Sequence, residues 1–234
     1  MSETARKTPR PRTTAASSAA AKQSLSTVAY EALLARLRNG LVAPEQRLVD
    51  LDIAEELGVS RMPVREALLQ LVAEGYLVST ARGYRLPTVS AEDVQEVFEL
   101  RRLLEPRAAS LAARDITRGS VARLSVALSE ARSAQAAADF SRLLQANIDF
   151  LETWVGAVRN KRLAAAILRY TDQILSVRHS SLRDPAIQPV VVAGLEEQYQ
   201  AFSRHDSTSA HDAMLRFVLA AERAYFGAGA AEAR

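Results

Sequence analysis

The segment IAEELGVSRMPVREALLQLV, residues 53–72, contains two short helical patterns with a glycine between them. Gly58 ends the first pattern, and Ser60 is a favourable N-terminal cap for the second. The apolar positions that would face the interior are Ile53, Ala54, Leu57, Val64, Leu68, Leu71 and Val72. Two helices joined by a short turn that contains glycine are typical of a helix-turn-helix.

The residues on either side of this segment complete a winged helix. Residues 24–39 have the apolar face of a helix, and residues 47–49 are compatible with a short strand. Downstream, residues 76–78 and 84–86 are strand-like and flank a tight turn at 81–83, which predicts a hairpin. The order of helix, helix-turn-helix and hairpin is that of a winged helix.

The exposed face of the second helix has the chemistry of a DNA-contacting surface. Arg61 and Arg65 are four residues apart, so they project from one side of the helix, opposite its apolar face. The second helix of a helix-turn-helix lies in the major groove, where an Arg guanidinium can donate two hydrogen bonds to guanine. Arg82 at the hairpin turn is placed to meet a phosphate or the minor groove. The alternative is that Arg61 and Arg65 form surface ion pairs with Glu66 or another nearby acidic residue.

The total charge of the chain does not by itself indicate DNA binding. The net charge is +3, and residues 1–23 have five basic residues against one acidic residue. Residues 24–87 have seven Arg against eight Asp or Glu, so the expected DNA-binding domain is slightly acidic. We expect residues 1–23 to form a disordered basic arm, either solvated or in non-specific contact with phosphates.

Residues 88–234 have helical patterns almost throughout. A linker at 88–90 precedes a helix start at Ser90, which is followed by acidic residues in the first turn. The predicted helices are 91–113, 118–136, 138–157, 160–182, 188–204 and 207–227, with a tail at 228–234. The sequence therefore predicts a mainly α protein, with an N-terminal winged helix-turn-helix at 24–87 and a C-terminal all-α helical bundle at 91–227.

Several classes of protein lack support in the sequence. The chain has no cysteine, which excludes disulfides and thiolate metal sites. It has no run of 18 apolar residues, so we expect no membrane partner and a cytoplasmic location. Residues 88–234 have no catalytic triad, phosphate loop or metal cluster, so we do not expect an enzyme.

Two segments resemble known families. The run GVSRMPVREAL at 58–68 resembles the GntR family of bacterial regulators, and VQEVFELRRLLE at 94–105 resembles the first helix of the FCD-type ligand domain in its FadR-like subfamily. The resemblance covers about residues 24–227. It implies a homodimer that binds a palindromic double-stranded DNA operator and responds to a small-molecule effector in the helical domain. The DNA-binding residues that it implies are Ser60, Arg61, Met62, Pro63, Arg65, Arg82 and Gly83.

Many FCD domains hold a divalent metal with one Asp and three His, and the resemblance implies four different residues at those positions here. Asn147 takes the place of the Asp, and Leu151, Leu195 and Phe217 take the places of the His residues. The chain's histidines, His179, His205 and His211, lie elsewhere, although His179 could face the cavity. We therefore expect no metal and no other cofactor, and an apolar cavity that prefers a more hydrophobic effector.

The expected effector-binding residues are Arg101, Asn147, Leu151, Leu195 and Phe217. Arg101 would bind an anionic or carboxylate end of the effector, and the alternative is a structural ion pair with Glu105 or Glu99. Asn147 would donate or accept a hydrogen bond, and the alternative is a polar group whose bonds are made within the protein.

The sequence thus predicts a DNA-binding transcription regulator, a repressor, that is controlled by a small hydrophobic or carboxylate metabolite. The homodimer would use the first helix of the bundle and the Ala-rich helix 118–136. The alternative is a constitutive DNA-binding regulator whose helical domain only dimerises.

Overall fold

The computed structural model describes residues 14–232 apart from residue 44. Side chains are described from residue 25 to 227, except at 44, 173, 175, 176, 179 and 180. The chain divides into two compact units, one made of residues up to 35 with 46–85 and the other of 36–45 with the residues from 86 onward. The architecture is mainly α with one small sheet, which confirms the predicted fold class.

The first unit has the element order of a winged helix-turn-helix. Its elements are α1 (Thr14–Arg38, of which residues 36–38 fall in the second unit), α2 (Asp50–Leu57), α3 (Arg61–Ala73), β1 (Val78–Thr80) and β2 (Gly83–Arg85). Buried apolar side chains from α1, α2 and α3 form its core, with Leu33, Ile53, Val64, Leu68 and Leu71 each no more than 3% exposed. The pattern of apolar residues at helical spacing therefore specified these three helices correctly.

The first unit differs from expectation at its N-terminus, in the cap of α3 and in the hairpin, where β1 begins at Val78 and not at Tyr76. Residues 14–23, which we expected in a disordered arm, are helical, and alanines at five of these ten positions favour a helix without giving it an apolar face. Residues 1–13 lie outside the described chain. Ser60 holds the N-cap position of α3 as predicted, but its side chain makes no capping hydrogen bond.

The wing is held to the start of α2 by a third short segment. The strands β1 and β2 pair antiparallel across a two-residue turn at Ala81 and Arg82. Leu48 forms a bridge with Tyr84, with N···O distances of 2.8 and 2.9 Å, as expected of a short strand at 47–49. Gly83 has a φ of +130°, and a Cβ built on it would lie 2.5 Å from the carbonyl oxygen of Leu48. Only glycine permits this close approach of two backbones.

The second unit is a bundle of seven helices within the described chain. They are α4 (Ala91–Asp115), α5 (Arg118–Ala136), α6 (Phe140–Gly156), α7 (Lys161–Gln173), α8 (Leu175–Arg183), α9 (Gln188–Ser203) and α10 (Ser207–Glu232). Helix α4 begins with a capping box, in which Ser90 and Asp93 bond reciprocally to each other's backbone N–H. The hydrogen bonds from Ser90 lower the pKa of Asp93. In the described part of the chain, no helix is both long and apolar enough to cross a membrane.

The helix predicted at 160–182 is wrong, because the structure divides it at Ile174 into α7 and α8. Ile174 has φ −104° and ψ 26°, outside the helical range. The sequence has neither Gly nor Pro here, so no local breaker marks the break. Thr171 before it, Ile174 itself and Arg178 after it all line one internal cavity, so the break accompanies the packing around that cavity.

Candidate DNA interface and effector cavity

The face of α3 that was predicted to contact DNA is exposed. Ser60, Arg61, Met62 and Arg65 are exposed, while Val64 and Leu68 on the other side are fully buried. Arg65 makes no ion pair with any described residue. The helix therefore displays an unengaged guanidinium at the position where major-groove contact requires one.

Arg61 forms a surface ion pair with Asp50, as in the alternative interpretation of this residue. Its Nη2 lies 3.0 Å from Asp50 Oδ1 and 3.1 Å from Oδ2. The Arg61 side chain is 60% exposed, so the pair is weak and a phosphate or base can replace the carboxylate. Asp50 stands in the first turn of α2, where a carboxylate also interacts favourably with the helix dipole.

Two of the residues expected to contact DNA also have a role within the domain. Pro63 is buried in the first turn of α3. Gly83 is required by the approach of β2 to Leu48. Arg82 is exposed at the turn between the strands, and only its backbone N–H is engaged, by Thr80 Oγ1 at 3.3 Å.

The second unit contains a cavity of about 90 Å³. Helices α4, α6, α7, α8, α9 and α10 contribute to its wall. All five predicted effector-binding residues, Arg101, Asn147, Leu151, Leu195 and Phe217, line it. The single tryptophan, Trp154, also lines it and is 2% exposed, so its fluorescence reports on this unit.

Arg101 is held in the wall by a buried network. Its Nε donates to Glu105 Oε1 at 2.9 Å, and Tyr170 donates its hydroxyl to the same oxygen at 3.1 Å. The guanidinium also lies 5.1 Å from the ring centre of Phe98 and 5.9 Å from that of Phe217. The alternative of an ion pair with Glu105 is therefore what the structure shows.

The pKa values of the network agree with this geometry. Burial acts to lower the pKa of Arg101, but attraction to Glu105 outweighs it, so the pKa is raised. Burial, together with the Glu105 charge, raises the pKa of Tyr170 well above its usual range, which keeps the phenol protonated. Arg101 is thus a cation that already has a carboxylate partner.

The four residues at the positions of the FCD metal ligands line the same cavity, but their side chains do not form a metal-binding group. Asn147, Leu151, Leu195 and Phe217 line the same wall, and the described residues contain no group of three or more His, Cys, Asp or Glu that could hold a metal. The side chain of His179 lies outside the described residues.

Phe217 occupies its place because Gly194 on the neighbouring helix α9 has no side chain. A Cβ built on Gly194 would overlap the ring of Phe217. The ring therefore packs directly against the backbone of α9, next to Leu195. Phe217, which stands in place of a histidine, and Gly194 on the neighbouring helix therefore pack as a pair.

Sequence reasoning missed several polar residues of the cavity, and the three discussed below are Thr171, Arg178 and Gln198. They lie on α7, α8 and α9, and Thr171 and Arg178 are separated by the break at Ile174. No motif marks them, because their meeting depends on how three helices pack.

Comparisons with known families match both units. The family model of the FCD domain matches residues 96–220, and that of bacterial regulatory proteins of the gntR family matches residues 25–84. The HTH-type transcriptional regulator McbR of Escherichia coli (strain K12) is 34% identical over 113 residues, 48% of this chain and 51% of McbR. The Nta operon transcriptional regulator of Aminobacter aminovorans is 31% identical over 137 residues, 58% of this chain and 64% of that protein. The matches span less than two thirds of each relative's length.

Solved structures have the same fold. The structure of E. coli McbR/YncC superposes with a TM-score of 0.76 at 24% identity, covering 87% of this chain and 97% of that one. A putative transcriptional regulator GntR from Rhodococcus sp. RHA1 gives a TM-score of 0.73 at 24% identity, covering 88% of this chain and 99% of that one. At this identity the likeness establishes the architecture alone.

Proposed function

Because this chain belongs to the GntR family of bacterial regulatory proteins and carries an FCD domain, we propose that a small molecule in the cavity of the second unit controls its binding to DNA. The family consists of DNA-binding transcription regulators and not of enzymes. In this proposal the protein is a cytoplasmic repressor that binds a palindromic operator as a homodimer. The effector is a small hydrophobic or carboxylate metabolite.

The observation that carries the proposal is that one cavity gathers five residues from four helices. Arg101 lies on α4, Asn147 and Leu151 on α6, Leu195 on α9 and Phe217 on α10. A cavity with apolar walls and few polar groups is the usual form of a small-molecule site. A ligand there shifts DNA binding only if it binds the DNA-competent and DNA-incompetent arrangements with different affinities.

The DNA side of the proposal rests on the exposed face of α3 and on the wing. Of the residues proposed to contact DNA, five are exposed: Ser60, Arg61, Met62, Arg65 and Arg82. Arg61 and Arg65 would contact base edges, and Ser60 and Arg82 would contact phosphates or the groove wall.

Exposed apolar residues on the bundle support the proposed homodimer. Leu100 and Leu103 on α4 are 42% and 66% exposed, and Val126 on α5 is 64% exposed. The buried alanines of α5, including Ala127 and Ala131, belong to the core of the unit itself and are not available to a partner. Sedimentation equilibrium should give a dimer for the wild type, and a Leu103→Glu variant should shift the equilibrium toward monomer.

The constitutive alternative has one observation in its favour. The network of Arg101, Glu105 and Tyr170 is closed on itself, as expected of a structural element. In that alternative the second unit dimerises and binds no effector.

A ligand screen separates the two functions. Aromatic acids, fatty acids and sugar acids are tested for a rise in the thermal midpoint of the full-length protein, followed by Trp154 fluorescence. Compounds that stabilise it are then added to the protein on a DNA sequence selected in vitro, and the DNA affinity is measured by fluorescence anisotropy. A stabilising compound that changes DNA affinity supports the proposal, and the absence of one in every class favours the constitutive alternative.

A variant with a filled cavity gives the control. Leu151→Trp should retain DNA binding and lose the response to the compound, because the larger side chain occupies the cavity. Ser141→Trp is matched to it, because Ser141 is exposed on the same helix α6 and does not line the cavity. It should retain both DNA binding and the response.

A further inference from the structure

Arg178 is a cation in the cavity wall with no partner for its guanidinium. It makes no ion pair or side-chain hydrogen bond with any residue that the structure describes, and it lines the cavity. Arg101 differs, because it has Glu105 at 2.9 Å. A charge removed from water without a partner is costly, so an unpaired one needs an explanation.

The two acidic groups that attract Arg178, Asp172 and Glu105, are paired with other residues. Glu105 binds Arg101 and Tyr170. Asp172, which is 7% exposed, binds Arg38 of the same unit, with Nη2 at 2.6 Å and Nε at 3.2 Å from its oxygens. Arg101 therefore has Glu105, and Arg38 has both Asp172 and Glu152, whereas Arg178 has no direct carboxylate partner among the described residues.

The pKa of Arg178 reflects its surroundings. Burial, followed by repulsion from Arg101, lowers the pKa of Arg178 to about 10, although Asp172 and Glu105 attract it. Arg178 is half-buried, and this partial loss of contact with water acts against the charged form of its guanidinium. A carboxylate placed beside it would restore charge balance.

Neutral polar groups of the cavity also lack partners. Gln198 is 1% exposed and Thr171 is 3% exposed, and among the described residues neither the Nε2 of Gln198 nor the Oγ1 of Thr171 has a hydrogen-bond partner. The side-chain amide of Asn147 makes no hydrogen bond with a described residue. Buried polar atoms are normally paired, so several unpaired ones around one cavity indicate that a ligand completes them.

The rest of the wall is apolar and the space is small. Phe150, Trp154, Val191 and Leu195 are among the apolar residues that line it. A cavity of about 90 Å³ holds roughly six water-sized groups, which suits a compact molecule with a short hydrocarbon body.

We propose that the cavity binds a small monocarboxylate whose charged group pairs with Arg178 and whose second, uncharged oxygen accepts a hydrogen bond from Gln198. Arg101, the anion anchor expected from the sequence, instead shapes the wall through its pair with Glu105. This inference rests on the proposed function, in which the same cavity is the effector site.

Matched acids and amides test the anion site. Isothermal titration calorimetry on the full-length protein uses benzoate against benzamide and hexanoate against hexanamide, since each pair differs mainly in charge. The wild type should bind at least one acid about tenfold or more tightly than its amide, the gain of one charge-assisted hydrogen-bonded pair. Arg178→Met should abolish that preference and leave amide affinity within about twofold. Arg169→Met, an exposed arginine on α7 outside the cavity, should behave as wild type.

The result that overturns the anion site is equally specific. A wild type that binds no acid of either pair more tightly than the amide contradicts it, and so does an Arg178→Met variant that retains the preference. Either outcome leaves the proposed function standing if neutral compounds bind the cavity and change DNA affinity. If anion binding follows Arg178 but no bound compound changes DNA affinity, the proposed function fails and the anion site stands.

The stability of Arg178→Met gives a readout that does not depend on the probe. Replacing an unpaired, half-buried charge by an apolar side chain of similar length should raise the thermal midpoint of the ligand-free protein by about 2 °C or more. A lower midpoint would mean that Arg178 holds the fold together and would contradict the proposal.

The second oxygen is tested with benzoate and the three monohydroxybenzoates. At least one isomer should bind the wild type more tightly than benzoate does, and Gln198→Leu should remove that gain while benzoate affinity changes by less than about twofold. A gain that persists in Gln198→Leu, or no gain with any isomer, overturns the role of Gln198.

Discussion

The arginines of α3 and the arginines of the cavity have the same charge in opposite surroundings. Arg61 is 60% exposed and holds Asp50 loosely at the surface, and Arg65 is exposed without a described partner. Arg101 is 14% exposed and held by Glu105, whose side chain is 3% exposed. The surface arginines are available to exchange partners with DNA, whereas Arg101 is committed to its own fold.

This difference determines how function can be inferred in each region. An exposed arginine on a helix with a buried opposite face is a candidate contact residue from spacing alone. In an enclosed cavity the presence of an arginine is not sufficient, because its role depends on which charges nearby are already paired. By that criterion Arg178, and not Arg101, is the candidate for an external anion.

The largest expected effect is on stability and follows from removal of the buried acid Glu105. Glu105→Gln leaves Arg101 enclosed without its charge partner, and we expect the free energy of unfolding of the second unit to fall by about 3–5 kcal/mol. Urea unfolding followed by Trp154 fluorescence measures it. The matched change Asp50→Asn breaks the exposed pair with Arg61 and should alter amide-exchange protection in α2 and α3 by less than about 1 kcal/mol.

A second variant identifies the cause of that loss. Replacing both partners, Arg101→Met with Glu105→Leu, should recover most of the stability, because Arg101 no longer leaves an unpaired charge. If Glu105→Gln and Asp50→Asn reduce stability by equally small amounts, the buried and the exposed ion pair do not differ as proposed.

The next effect concerns the wing. Gly83→Ala places a Cβ 2.5 Å from the carbonyl oxygen of Leu48 at a φ of +130°, and should destabilise the first unit by about 1–3 kcal/mol. Hydrogen exchange in β2 measures the change. Gly119→Ala is the control, since its Cβ would meet only Thr117 Oγ1 at 3.8 Å in the first turn of α5. If Gly83→Ala destabilises the wing no more than Gly119→Ala destabilises α5, the close approach of β2 to Leu48 does not hold the wing in place.

A smaller effect is expected from the DNA-contacting helix. Arg65→Ala should weaken operator binding by about 1–3 kcal/mol and relax base choice at one position, as expected for the loss of a bidentate contact to guanine. Fluorescence anisotropy on single-base variants of the operator measures both quantities. Arg169→Ala, on an exposed site of α7, should leave them unchanged. Full retention of base choice in Arg65→Ala would remove this residue from the interface.

The smallest effect is expected at the wing tip. Arg82→Ala should weaken binding to all DNA sequences by a similar factor and reduce the slope of log affinity against log salt by about 1, because a phosphate contact has no sequence preference. Affinities at several salt concentrations on operator and random DNA test this. A selective loss on the operator would instead assign Arg82 to base recognition.

The sequence predicted the elements that local residues specify. Gly58, with φ +65°, and Ser60 mark the turn between α2 and α3, and the capping box at Ser90 marks the start of α4. The break at Ile174 was not predicted, because no Gly or Pro stands there and the cause is the packing of neighbouring helices. The helix at 14–23 was missed for the opposite reason, because alanines favour a helix without an amphipathic pattern.

The candidate cavity was predictable only in part. The resemblance placed Asn147, Leu151, Leu195 and Phe217 together, and the structure brings them to one wall. The packing of Phe217 on Gly194 and the unpaired Arg178 needed coordinates, because each depends on residues from different helices. The spacing of residues along one helix does not indicate which residues of other helices they will contact.

The most direct test of a DNA-binding regulator that uses the exposed face of α3 is in vitro selection of genomic DNA fragments by the purified full-length protein. We expect the wild type to enrich one palindromic sequence and an Arg61→Ala/Arg65→Ala variant, with an unchanged thermal midpoint, to lose that enrichment. Enrichment of the same palindrome by both proteins would contradict DNA recognition by this face of α3.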